Sequence, residues 1–145
     1  MTRVALCLAG VVLLGGCAQK SFTTPNINEP ARKNVVIQFG NASVDPSIAK
    51  VLAGGQVTWS NTSDSYGVIR LPMADKSKFE CKIVRPDWQL VATGIESLPM
   101  ASDAEDIILP CSMKPGTYPY KIDLFGNIQQ MDNPAFTLQG TLQVE

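Results

Sequence analysis

Apolar residues run along this chain in two different patterns. Val4 to Leu14 is almost continuously apolar behind a short positive start, Met1-Thr2-Arg3, and is followed by the small residues Gly15 and Gly16. That order is the signature of a secretory signal peptide. The run is shorter than the roughly 20 residues that a membrane-spanning helix needs. Beyond it, apolar positions come in short clusters cut by turn residues, as strands do. Val35, Val36, Ile37 and Phe39 form a β-rich run ended by Gly40-Asn41. A weaker strand lies around Ile48 to Val51, Gly54-Gly55 reads as a turn, and Gln56 to Ser60 alternates around Val57 and Trp59. Asn61 to Ser65 is a polar loop before a strand at Gly67 to Leu71. Short strands are expected at Cys81 to Val84, Gln89 to Thr93 and Glu105 to Leu109. A turn at Pro115-Gly116 leads into Thr117 to Ile122, and Gly140 to Val144 is the last strand. Met73 to Ala104 is the least legible region and has room for a short helix. Many short strands and no long amphipathic helix predict an all-β sandwich.

Leu14-Gly15-Gly16-Cys17 resembles the lipobox of bacterial lipoproteins. The resemblance implies that Cys17 is lipidated and becomes the first residue of the mature chain. Ala18, rather than Asp, follows the cysteine, which by the same resemblance favours the outer membrane, facing the periplasm. The partner implied is the membrane itself, reached through the N-terminal lipid. Residues 17–33 are polar and broken by Pro25 and Pro30, without periodicity, and read as a flexible tether. The expected organisation is therefore a signal peptide over 1–16, a lipidated tether over 17–33 and one domain over 34–145. No later apolar run exceeds strand size.

The anchor changes the cysteine count. Of the four cysteines, Cys7 leaves with the signal peptide and Cys17 carries lipid, so Cys81 and Cys111 remain. An exported, oxidising setting predicts that they pair as a disulfide. A reactive or metal-binding thiol pair has no C-x-x-C spacing to support it.

Charge narrows the partners. The formal net charge is −1, so the basic surface that nucleic acid requires is missing. Asp103, Glu105 and Asp106 read as a solvated loop rather than a calcium site. The chain has no histidine, which removes imidazole general bases, His-dependent nucleophiles and His-based zinc sites. Ser60, Ser63 and Ser65 beside Asp64 lack a base and read as loop residues. No enzyme is expected.

Three segments resemble cupredoxins, the plastocyanin-like and amicyanin-like copper proteins. Gly54-Gly55-Gln56-Val57-Thr58-Trp59-Ser60-Asn61 resembles their glycine-x-x-Val-x-Trp-x-Asn strand. Lys114-Pro115-Gly116-Thr117-Tyr118-Pro119-Tyr120 resembles their Pro-Gly-Thr-Tyr-x-Tyr strand, and Leu138 to Glu145 resembles their last strand. The pieces occur in the family's order and imply a Greek-key β-sandwich. The copper ligands do not carry over. A type 1 site needs two His and a Cys, usually with a weak axial Met. The resemblance puts Tyr66 at the first His, Ile122 at the Cys and Leu138 at the Met. The stretch Asp123 to Thr137, longer than the family's copper loops, offers no imidazole for the second His.

The resulting expectation is a copper-free, cupredoxin-like lipoprotein with no cofactor. It acts as a non-enzymatic binding or structural module towards an envelope protein of unknown identity. The alternative is a periplasmic copper-binding or copper-delivery protein using Met73, Met100, Met113 or Met131 with unpaired Cys81 or Cys111, since thioethers and thiolates suit Cu(I). Trp59 and Phe39 are expected in the core, with Tyr118 and Tyr120 on one strand face. The loop carrying Leu124, Phe125 and Ile128 has two readings, an exposed contact surface or a cover over the vacated copper position.

Overall fold

Residues 29–83 and 86–145 are described by a computed structural model. The expectations for residues 1–16, for Cys17 and for the tether up to residue 28 lie outside the described residues. The strands are β1 (Arg32–Phe39), β2 (Val44–Asp45), β3 (Ile48–Asn61), β4 (Tyr66–Pro72), β5 (Phe79–Cys81), β6 (Trp88–Val91), β7 (Gly94–Ser97), β8 (Ile107–Ile108), β9 (Cys111–Met113), β10 (Gly116–Phe125) and β11 (Phe136–Val144). β1 begins at Arg32, just ahead of the boundary read at Asn34. The hydrogen-bonded order is β2-β1-β3-β11-β10-β4-β7-β6, with β8 beside β3 and a separate β5-β9 pair.

β3 lets this path fold into two facing layers. Its first half pairs in parallel with β11, Ala49 opposite Leu142 and Val51 opposite Val144. Its second half pairs in parallel with β1, Val57 opposite Val35 and Trp59 opposite Ile37. One strand thus serves both layers. The two parallel pairs require connections that cross between layers, as a Greek-key sandwich has and a meander does not. The all-β sandwich predicted from the sequence is the architecture found.

The turn expected at Gly54-Gly55 is found inside β3: Gly55 packs against the Val51 side chain and the Leu52 carbonyl, four and three residues back, so the chain turns back on itself there. Gly54 takes φ +74°, a backbone conformation that L side chains rarely adopt. Gly55 lies against the carbonyls of Lys33 and Leu52, where a Cβ would collide. The glycine pair therefore carries the strand from one layer to the other.

The less legible region also differs from expectation. The strand expected at Cys81 to Val84 is shifted to Phe79–Cys81, and that expected at Gln89 to Thr93 ends at Val91. The next strand, β7, had no forecast. The helix is a single 3-10 turn at Lys76–Lys78, whose cap Asp75 accepts from the Ser77 backbone N–H.

Alternation decides what faces inward. In β1, Val35, Ile37 and Phe39 are buried while Val36 and Gln38 are exposed. In β10, Tyr118, Tyr120, Ile122 and Leu124 share the buried face. Trp59 and Phe39 are fully enclosed, as expected. Trp59 meets Tyr120 edge-on, with centroids 4.6 Å apart at 85°, joining the layers. Gly140 stands opposite Tyr120 in β11, and the tyrosine ring fills the space its side chain would occupy. Here a mid-strand glycine is a packing requirement.

The Tyr120 hydroxyl is buried and makes no hydrogen bond with the protein. Burial alone pushes its ionisation far above the usual phenol range. Such a group adds volume but no compensating bond. Tyr120→Phe is therefore expected to keep full stability or gain up to about 1 kcal/mol. Tyr120→Ala is expected to lose about 3–5 kcal/mol through the cavity beneath Trp59. Urea midpoints of the two variants check this; a Phe variant as damaged as the Ala variant contradicts it.

Candidate functional site

The sandwich has two distinguishable ends. At one, Arg32, Val51, Val144 and Gly116 come level across neighbouring strands. At the other, Phe39 lies opposite Asn61 and Phe125 opposite Tyr66. The positions that the resemblance gives to copper ligands lie towards this second end, remote from the point where the chain enters the domain.

Each of those positions now has a location. Tyr66 opens β4, half-buried, directly opposite Phe125. Ile122 is fully buried in β10, between Ile69 of β4 and Leu138 of β11 in register. Leu138 is itself buried. Ile122 and Leu138 are thus adjoining strand partners in a continuous apolar layer. Their side chains offer no lone pair to a metal.

The loop expected from Asp123 splits between its two readings. β10 continues through Leu124 and Phe125, which are buried at 2% and 1% exposure and close the end from within. Ile128 and Phe136 stand 51% and 58% exposed. The backbone N–H of Ala135 donates to the Leu124 carbonyl at 2.8 Å, tying the return of the loop to the strand it left.

The same end holds a buried polar network that sequence reasoning did not single out. Asn61 donates from Nδ2 to the Ser65 carbonyl at 2.8 Å and to the Met100 carbonyl at 2.7 Å. Its Oδ1 accepts from the Ser63 backbone N–H at 2.8 Å and from the Ser63 hydroxyl at 2.7 Å. Asn61 and Ser63 are 5% and 1% exposed. The asparagine was visible only as the last residue of the Trp-x-Asn segment. Its work is to bind the 61–65 loop to the chain at Met100, beside the backbone bridge between Met100 and Gly67. Ser63 is therefore a structural loop residue, and Ser60 and Ser65 flank it.

A second polar array crosses the outer face of the sheet. Arg70 pairs with Glu96 at 2.9 Å and with Asp123 at 2.8 Å, and the Thr137 hydroxyl donates to Asp123 at 2.6 Å. It joins four neighbouring strands, β11, β10, β4 and β7. Arg70 is 45% exposed, so the array contributes little to stability.

The remaining candidate residues fall elsewhere. Cys81 and Cys111 form a disulfide that staples β5 to β9. Met73, Met100 and Met113 are buried in the core, and Met131 is half-buried in the loop. Asp103, Glu105 and Asp106 are exposed. Among the described residues no group of three or more His, Cys, Asp or Glu is placed so that it could hold a metal ion. Tyr118 and Tyr120 share the inner face as expected, and Tyr118 donates its hydroxyl to the Lys114 carbonyl at 2.6 Å.

No family model and no curated protein matches the sequence. Solved structures do match in shape. A mutant of amicyanin in its reduced Cu(I) form at pH 4 is 17% identical, with a TM-score of 0.47, over 81% of this chain and 87% of that one. A second, oxidised amicyanin mutant is 19% identical at the same TM-score and the same coverage. Oxidised plastocyanin from Dryopteris crassirhizoma is 16% identical, with a TM-score of 0.43, over 77% of this chain and all of its own length. These neighbours are cupredoxins of low sequence identity.

Proposed function

We propose that this protein is a lipoprotein of the bacterial envelope. Its β-sandwich, cupredoxin-like but free of copper, works as a non-enzymatic binding or structural module. The observation that carries the proposal is the burial of Ile122 against Ile69 and Leu138, at the position that the resemblance gives to the copper thiolate. An apolar strand layer there supports the stability of the end that the polar loops cover, and gives no redox chemistry. The signal-peptide pattern and the Leu-Gly-Gly-Cys ending support lipidation of Cys17 and retention at the outer membrane, facing the periplasm. The lipid then joins the domain through the polar sequence after Cys17, and the half-exposed Ile128 and Phe136 lie at the end opposite the chain entry. That end is the surface offered to an envelope partner.

The test is native mass spectrometry of residues 20–145, purified from an oxidising compartment and titrated with Cu(I) and Cu(II). The expected spectrum has no stoichiometric copper, before or after reduction. Copper bound one-to-one at sub-micromolar affinity overturns the copper-free reading and moves the protein to copper handling. Lipidation is read separately, from the intact mass of the membrane-extracted protein: acyl chains on Cys17 are expected, and an unmodified N-terminus refutes the anchor.

A further inference from the structure

Charge is sorted along the long axis of the sandwich. At the end remote from the chain entry lie Asp64, Asp87, Asp103, Glu105, Asp106 and Asp132. Asp64 follows the end of β3, Asp132 lies in the β10–β11 loop, and the other four line or adjoin the segment around Met100. Arg85 stands two residues before Asp87 in the sequence; among the described residues no Lys or Arg accompanies the six carboxylates at that end. At the chain-entry end are Arg32, Lys33, Lys76, Lys78 and Lys114, all exposed. Lys33 precedes the first residue of β1 that pairs with the second half of β3. The Lys114 backbone N–H donates to the Lys78 carbonyl at 3.0 Å, which puts those two lysines beside the turn into β10. Four carboxylates share this end: Glu29, paired to Arg32; Asp75; Glu80, two residues after Lys78; and Glu145. Ser77 donates to Asp75 from its hydroxyl at 2.7 Å and its N–H at 3.0 Å. These bonds, helped by Lys78 and Lys114, hold its carboxyl below the usual range.

We infer that the chain-entry end docks on an anionic lipid surface, so that the domain stands with its lysines against the headgroups and its acidic end turned outward. The inference rests on the membrane-anchored reading above. On the anchored reading the lipid joins the chain at Cys17, and the polar sequence between Cys17 and the domain does not specify which end meets the bilayer. Anionic headgroups attract nearby Lys and Arg within about a Debye length and repel carboxylates. Both forces turn this domain the same way, because the two signs sit at opposite ends.

Orientation is measured on the chain from Cys17 onward, with the Cys17 thiol coupled to a maleimide lipid. Cys81 and Cys111 are bonded to each other, so Cys17 is the free thiol for coupling. This separates the inference from biological acylation, which the intact mass tests. Lysine acetylation by a water-soluble ester is mapped by mass spectrometry on phosphatidylglycerol-containing vesicles and on pure phosphatidylcholine vesicles. Expected is about threefold slower labelling of Lys33, Lys76, Lys78 and Lys114 on the anionic vesicles, with Lys121 on the outer sheet face unchanged. The difference is expected to vanish at about 0.5 M NaCl. A Lys78→Glu, Lys114→Glu variant is expected to lose the protection at Lys33 and Lys76. Equal labelling on the two vesicle types, or equal slowing at Lys121, overturns the inference.

Discussion

Removing the Cys81–Cys111 bond is expected to lower the unfolding free energy by about 3–4 kcal/mol. The bond closes a loop with a sequence separation of 30, so its loss returns a large amount of freedom to the unfolded chain. The native state feels the loss unevenly. β5 and β9 pair only with each other, outside the main sheet. Lys82 N–H to the Pro110 carbonyl at 2.9 Å and Lys114 N–H to the Lys78 carbonyl at 3.0 Å extend this pairing, while Phe79, edge-on to Tyr118 at 5.0 Å, and the buried Met113 pack it against the core. Cys111 packs in the core, while Cys81 is partly exposed on the outer strand. A Cys81→Ala, Cys111→Ala protein is therefore expected to fold, with β5 and the neighbouring 3-10 turn opening well before the sandwich. Urea unfolding with and without reductant measures the stability, and amide hydrogen exchange over residues 76–82 measures the opening. Oxidised and reduced protein agreeing within about 1 kcal/mol would show that the cross-link does not hold this domain together.

The staple was legible before the fold was: with Cys7 and Cys17 given to the expected signal peptide and lipid, two cysteines remain, and the expected oxidising setting lets them pair. The alternating segments around Val35, Trp59 and Tyr118 were legible for a similar reason: period two marks one wet and one dry face. What escaped depends on neighbours distant in sequence. Gly140 looks like a flaw in a strand until Tyr120 is seen lying over it. β7 had no signal, because Gly94 is accepted there only for its close approach to the Leu71 carbonyl. At the candidate site, the sequence resemblance put the apolar residues Ile122 and Leu138 at positions it assigns to ligands. It did not indicate that Leu124 and Phe125 continue the strand, or that Asn61 ties the covering loops. Burial and hydrogen-bond partners of single residues are set by the assembled sheets.

Asn61→Ala is expected to cost about 2–4 kcal/mol, and Asn61→Asp more at neutral pH. Alanine removes four hydrogen bonds at once. Not every partner is stranded. The Met100 carbonyl keeps the Gly67 N–H at 2.9 Å, and the Ser63 hydroxyl keeps the Ser65 carbonyl at 3.1 Å. The Ser63 N–H is left buried without an acceptor, which is the costly loss. Aspartate tests the direction of the bonds. It still accepts from Ser63, but it replaces a two-proton donor with an oxygen facing the carbonyls of Ser65 and Met100 in a buried site. Burial and those carbonyls disfavour its charge, so its folded pKa rises above the unfolded value near 3.9. Above the unfolded pKa the native state then binds more protons than the unfolded state, and stability falls as pH rises. Relative to the parent, the Asp variant is expected to recover as pH drops through its raised folded pKa, whereas the Ala variant shows no such recovery. Chemical denaturation from pH 4 to pH 8 reads this difference. Parallel pH profiles for the two variants would mean that Asn61 acts by filling space, and that its two donors are not what hold the Ser65 and Met100 segments over this end of the sandwich.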